Sequence, residues 1–158
     1  VSKRIGIAIV LLLLAASAGI SVASARANAS TSSGLCAEVG SIQSAKVTRV
    51  IPSGEKYAPF RFSSHLSISI PARARALASA ICNLPPRGWY SCPWGGARYL
   101  IRFNGQPNPV IVEAGACETV TGAGLTRRPT PRFWPKFGRA LGLRNATRAT
   151  FAGRQRAG

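Results

Sequence analysis

A chain of 158 residues with a formal net charge of +17 carries no aspartate, no methionine, one histidine (His65) and four glutamates (Glu38, Glu55, Glu113, Glu118). That inventory leaves no evident triad, no plausible carboxylate pair for glycoside hydrolysis and no set of catalytic metal ligands. No catalytic residue, metal site or cofactor is therefore assigned, and the chain is read as non-enzymatic.

The N-terminus opens on Lys3 and Arg4, runs apolar from Ile5 to Ile20, and reaches Ala23-Ser24-Ala25. A basic start, an apolar stretch and a small-x-small site together predict a secretory signal peptide over residues 1–25. An uncleaved membrane anchor is the competing reading, because residues 5–22 are nearly long enough to span a bilayer. Cleavage after Ala25 removes Lys3 and Arg4, leaving 133 residues at +15, the size of one domain. Arginine outnumbers lysine 17 to 4, which suggests that part of this charge reflects a GC-rich genome. The remainder still attracts polyanions: an anionic cell-wall polymer, a membrane surface or extracellular DNA.

Residues 26–44, rich in Ala, Ser and Gly, read as a flexible leader. A strand is expected over residues 46–51, ended by Pro52-Ser53-Gly54. Leu66, Ile68 and Ile70 alternate with His65, Ser67 and Ser69, giving a half-buried strand over 65–70 in which His65 faces outward. Pro71 then suits the first turn of a helix over 71–83. Its apolar face is Ala74, Leu77, Ala78 and Ile81. Arg73 and Arg75 sit at the unfavourable end of that helix's dipole, so packing has to hold it.

Residues 85–96 read as a loop. Beyond it, Tyr99, Ile101 and Phe103 and then Val110 and Val112 mark two strands, over 98–104 and 110–114, joined as a hairpin. A loop centred between Gln106 and Pro107 sets Phe103 opposite Val110 and Ile101 opposite Val112. Thr130-Pro131 opens a short helix over 131–142, with Phe133, Phe137, Ala140 and Leu141 on one side and Arg132, Lys136 and Arg139 on the other. Pro135 lies in its first turn or marks a later start at Trp134. Residues 144–158, rich in Arg, Ala and Gly, read as a basic, disordered tail.

The four cysteines, Cys36, Cys82, Cys92 and Cys117, are an even set in an exported chain and predict two disulfides. Cys92 and Cys117 flank the hairpin, whose ends meet, so Cys92–Cys117 is the natural bond and Cys36–Cys82 follows by elimination. Three connectivities are possible in principle, and zinc binding is the competing use, although no Cys-x-x-Cys is present.

Two features suggest binding. The first is the aromatic loop around Trp89, Tyr90 and Trp94, where rings beside a cysteine and a proline form either a rigid contact surface or a cap on the core. The second is the basic C-terminal region, with nine basic residues and no acid from Arg127 to Arg156. There Arg132, Lys136 and Arg139 line one side of a helix whose aromatic side either covers the sheet, contacts a partner protein or enters a membrane interface. Sequence-specific nucleic-acid binding has no support.

From Pro71 onward, about half of the chain resembles a group of small exported actinobacterial proteins without assigned activity. The likeness rests on residues 74–86, Cys92-Pro93, residues 98–103, Gly115-Ala116-Cys117 with Val120-Thr121-Gly122, Phe133-Trp134 and residues 138–142. It implies a shared fold and export. A second likeness is to the Streptomyces subtilisin-inhibitor family, exported two-disulfide α+β proteins in which a Cys-Pro opens a protease-binding loop. It implies that Cys92-Pro93-Trp94 faces a protease, with Trp94 near the scissile position.

The sequence thus predicts one α+β domain over residues 45–143, an antiparallel sheet with one helix packed on a face and a short C-terminal helix. The expected role is exported, non-enzymatic association with anionic cell-envelope components; the alternative is secreted serine-protease inhibition.

Overall fold

The structure, a computed structural model, describes residues 34–53, 59–88 and 96–153. The expected signal peptide and the aromatic loop, including Trp89, Tyr90, Cys92 and Trp94, lie outside these residues. Six strands, β1 (Ala45–Val50), β2 (His65–Ile68), β3 (Arg98–Phe103), β4 (Val110–Glu113), β5 (Thr119–Gly122) and β6 (Leu125–Arg127), form one antiparallel sheet in the order β2-β1-β3-β4-β5-β6. Three helices, α1 (Pro71–Cys82), α2 (Phe133–Ala140) and α3 (Arg148–Ala152), complete the α+β fold.

Alternation along the strands decides which face is buried. Val47, Tyr99, Ile101, Val110, Val112 and Val120 point inward to meet Leu77, Ile81, Phe133, Phe137 and Phe151 in a single core. Each large aliphatic side chain buried there contributes about 1.5–3 kcal/mol. The opposite face carries the row His65, Thr48, Leu100, Ile111, Thr121 and Thr126, in register across all six strands. Lys46 and Arg102 are cross-strand neighbours on that face, and Arg98 pairs with Glu113 at 2.9 Å.

α1 matches its predicted face, burying Ala74, Leu77, Ala78 and Ile81, with Pro71 in its first turn. Ile70 does not extend β2 inward as expected. It serves as the N-cap of α1 and is 47% exposed, because the strand stops two residues earlier and the chain turns into the helix. The β3–β4 hairpin is also shifted: Tyr99 opposes Val112 and Ile101 opposes Val110. The chain reverses at Asn104-Gly105, where Gly105 has φ +78° and the Gln106 N–H donates to the Phe103 carbonyl. The displacement is by two residues, so every side chain keeps its expected face.

The leader is not loose from Gly34 onward. Leu35 and Ile42 are fully buried, and the Asn104 side-chain oxygen accepts from the backbone N–H groups of Gln43 and Ser44 at 2.7 Å each. Cys36 bonds to Cys82 with Cα atoms 5.5 Å apart, tying this segment to the last turn of α1. That is one complete disulfide within the described residues where two were expected. Cys117 is disulfide-bonded as well, but Cys92, the partner expected for it, lies outside the described residues.

Three further corrections concern the C-terminal third. β5 and β6, absent from the sequence reading, form a hairpin closed by Ala123 and Gly124, both at positive φ. α2 starts at Phe133 and ends at Ala140, shorter than 131–142, with Pro135 in its first turn. Thr130 and Pro131 form the turn leading in, and Gly142, at φ +79°, closes the helix as its N–H bonds the Arg139 carbonyl and the Leu143 N–H bonds that of Gly138. The expected tail instead holds α3, and its Phe151 is fully buried. Residues 154–158 lie outside the described part.

Candidate functional site

α1 and α2 turn basic and small residues outward. Arg73, Ala76, Ser79, Ala80 and Asn83 of α1 and its cap face Lys136, Arg139 and Ala140 of α2 across a groove of about 620 Å³. The 3.6-residue period places Arg73, Ala76, Lys136 and Arg139 on the outside for the same reason that it places Leu77, Ile81 and Phe137 inside, with Ala80 and Ala140 nearly fully buried between the two. The described lining combines three alanine methyls with three cations, an amide and a hydroxyl.

The groove's electrostatics follow from where the acids are. Glu113 pairs with Arg98 on the far face of the sheet and also accepts from the Thr119 hydroxyl at 2.8 Å. Glu118 accepts from Trp134 Nε1 at 2.7 Å and from Arg148 Nε at 2.9 Å. Glu38 accepts from the Gln106 amide at 2.6 Å. Among the described residues all three carboxylates are thus engaged elsewhere, and no carboxylate lies within ion-pair distance of Arg73, Lys136 or Arg139.

Arg73 solves its own local problem through tertiary contact. A cation in the first turn of α1 opposes that helix's dipole, yet its guanidinium reaches the C-terminal end of α2, where a Cβ on Gly142 would lie 3.9 Å from Nη1. The carbonyl end of α2 is the favourable pole for a cation. Arg75 turns the other way, toward the Ile42 carbonyl at 3.5 Å.

The inner side of α2 is closed. Phe137 and Phe151 rings lie 4.7 Å apart, Tyr99 meets both edge-on, and Trp134 stacks on Phe151 at 5.6 Å. Tyr99 donates its hydroxyl to the Phe151 carbonyl at 2.7 Å. Burial pushes the Tyr99 phenol well above its ordinary range, against the opposing pull of the Arg49 cation. Arg49 itself lies over the Phe60 and Phe62 rings, at 3.9 and 4.8 Å from their centroids. The aromatic side of α2 therefore covers the sheet, which removes the apolar half of an interfacial membrane helix.

Of the residues singled out from sequence, Lys136 and Arg139 line the groove. Arg132 is exposed at the N-cap of α2 and does not line it. Trp89, Tyr90 and Trp94 lie outside the described residues, as does the Cys92-Pro93 part of the inhibitor-like loop. Arg73, Ser79 and Asn83 were not anticipated as site residues. His65 is exposed, its Nδ1 3.0 Å from the hydroxyl of its neighbour Ser64. Among the described residues no three His, Cys or Glu side chains gather as metal ligands, and no helix is long and apolar enough to cross a membrane.

No family model, curated protein or solved structure matches this chain. The chemistry of the groove has to be read from its own residues.

Proposed function

We propose that this is an exported, non-enzymatic binding protein that associates with anionic components of the cell envelope. The observation that carries the reading is the charge of the α1–α2 face, where Arg73, Lys136 and Arg139 meet with no acid among the described residues beside them, the described glutamates being engaged elsewhere. Cations held this way are available to an external anion at no cost in broken internal ion pairs. The Cys36–Cys82 bond is compatible with an oxidising, extracellular setting.

Sedimentation with the envelope fraction at low and high salt tests this. At low salt the protein should pellet with the envelope. At about 1 M salt, where the Debye length falls to about 3 Å, it should be released. Retention that ignores salt, or reproducible turnover of a substrate by the purified oxidised protein, would overturn the reading.

A further inference from the structure

We infer that the α1–α2 groove takes a slim phosphodiester chain of the polyol-phosphate kind, in which the charge sits in the polymer backbone. This rests on the envelope-binding reading and specifies its site and ligand class.

Three properties of the groove select that ligand. Three of its lining residues are alanines, the exposed Ala76 and the nearly fully buried Ala80 and Ala140, so a chain without bulky rings can lie close to the helix backbones. None of the described residues that line it is aromatic, so they offer a sugar ring or a nucleobase nothing to stack on. Its cations stand on both walls. Lys136 and Arg139 are one helical turn apart, about 4.5 Å along the axis, and Arg73 faces them from α1. Two guanidinium forks suit the paired oxygens of a phosphodiester, and Lys136 adds a point charge. Ser79 and Asn83, neutral and on the same groove, match the hydroxyls that separate successive phosphates in a polyol chain. A uronic-acid polysaccharide carries its carboxylates at the edge of wide rings, and the described lining, small and without an aromatic ring, gives those rings no stacking surface. A bilayer would need exposed apolar side chains beside the cations, yet Phe133, Trp134 and Phe137 are buried.

The test is calorimetric titration of the purified oxidised protein with deacylated poly(glycerol phosphate), with polygalacturonate, and with phosphatidylglycerol vesicles at about 150 mM salt. Poly(glycerol phosphate) should bind best, and Arg139→Gln and Arg73→Gln should each weaken it about tenfold, as loss of a charge-assisted hydrogen bond implies. Ala76→Glu, which sets an acid in the groove, should weaken it at least as much. Arg102→Gln, the same charge change on the opposite sheet face, should cost less than about twofold. If Arg102→Gln weakens binding as much as Arg139→Gln, the groove is not the site, although charge-driven envelope binding survives. Equal or tighter binding of polygalacturonate or of vesicles overturns the phosphodiester assignment. If none of the three binds at that salt or when the titration is repeated at about 10 mM salt, both this inference and the reading beneath it are removed.

Discussion

The two sides of α2 use arginine in opposite ways. On the side toward α3, Arg148 is held by the Glu118 carboxylate and donates to the Gly115 carbonyl at 2.7 Å, while Trp134 shares the same carboxylate. On the groove side, Arg139 and Lys136 have no acid beside them among the described residues. The three described carboxylates of this acid-poor protein stand where they organise the fold. The difference separates cations that serve the structure from cations left for a partner, and it makes stability and binding separable by mutation.

The largest effect is expected at the anchor of the structural side. Phe151 is fully buried and its ring meets Phe62, Tyr99, Trp134 and Phe137. Phe151→Ala should cost about 3–5 kcal/mol in urea unfolding through lost burial and an unfilled cavity. A loss below about 1 kcal/mol would mean that α3 is not docked on the core.

Next in size is Tyr99→Phe, which leaves the Phe151 carbonyl without its donor and should cost about 1–3 kcal/mol at neutral pH. It also carries a pH signature. The folded protein keeps the Tyr99 proton at alkaline pH values where an unfolded tyrosine loses it, beginning near about 10. Stability should therefore be flat below that point and fall above it. In Tyr99→Phe the alkaline limb should be shallower; identical limbs in both proteins would show that the phenol is solvated.

How much of this contrast was legible in the sequence differs by element. α1 was readable because Ala74, Leu77, Ala78 and Ile81 repeat at helical spacing and Pro71 marks the start. β5 and β6 were not, because they are short and their turn uses Ala123 at positive φ where Asn or Gly is the usual signal. α3 escaped because its five residues hold a single large apolar side chain, and its capping box uses Thr147 and Thr150, with no Glu or Gln at the third position. Lys136 and Arg139 were legible as one face of α2. Their meeting with Arg73 was not, since it depends on how two helices separated by four strands pack together. The crossing of residues 143–147 over α2 was equally hidden: Gly138 permits it, because a Cβ there would collide with the Ala146 Cβ.

A smaller effect should follow from breaking the structural ion pair alone. Arg148 and Glu118 side chains are 46% and 25% exposed, so solvent screens their attraction. Arg148→Gln should cost no more than about 1 kcal/mol, and less as salt is added. A loss that does not respond to salt would assign its role to the Gly115 carbonyl bond instead.

The smallest stability effect is expected at Arg139, and it bears most directly on function. Arg139 is exposed in the last turn of α2, where its charge favours the helix by a few tenths of a kcal/mol. Arg139→Gln should therefore leave the urea midpoint within about 0.5 kcal/mol of the parent while reducing salt-sensitive retention on the envelope fraction. Arg148→Gln should show the reverse, a measurable loss of stability with retention nearly unchanged. Measured side by side, the two variants remove one arginine each and differ only in which side of α2 loses it. If both lose stability equally, Arg139 is a structural residue; if both lose retention equally, the protein binds through its total charge and the groove has no special part in it.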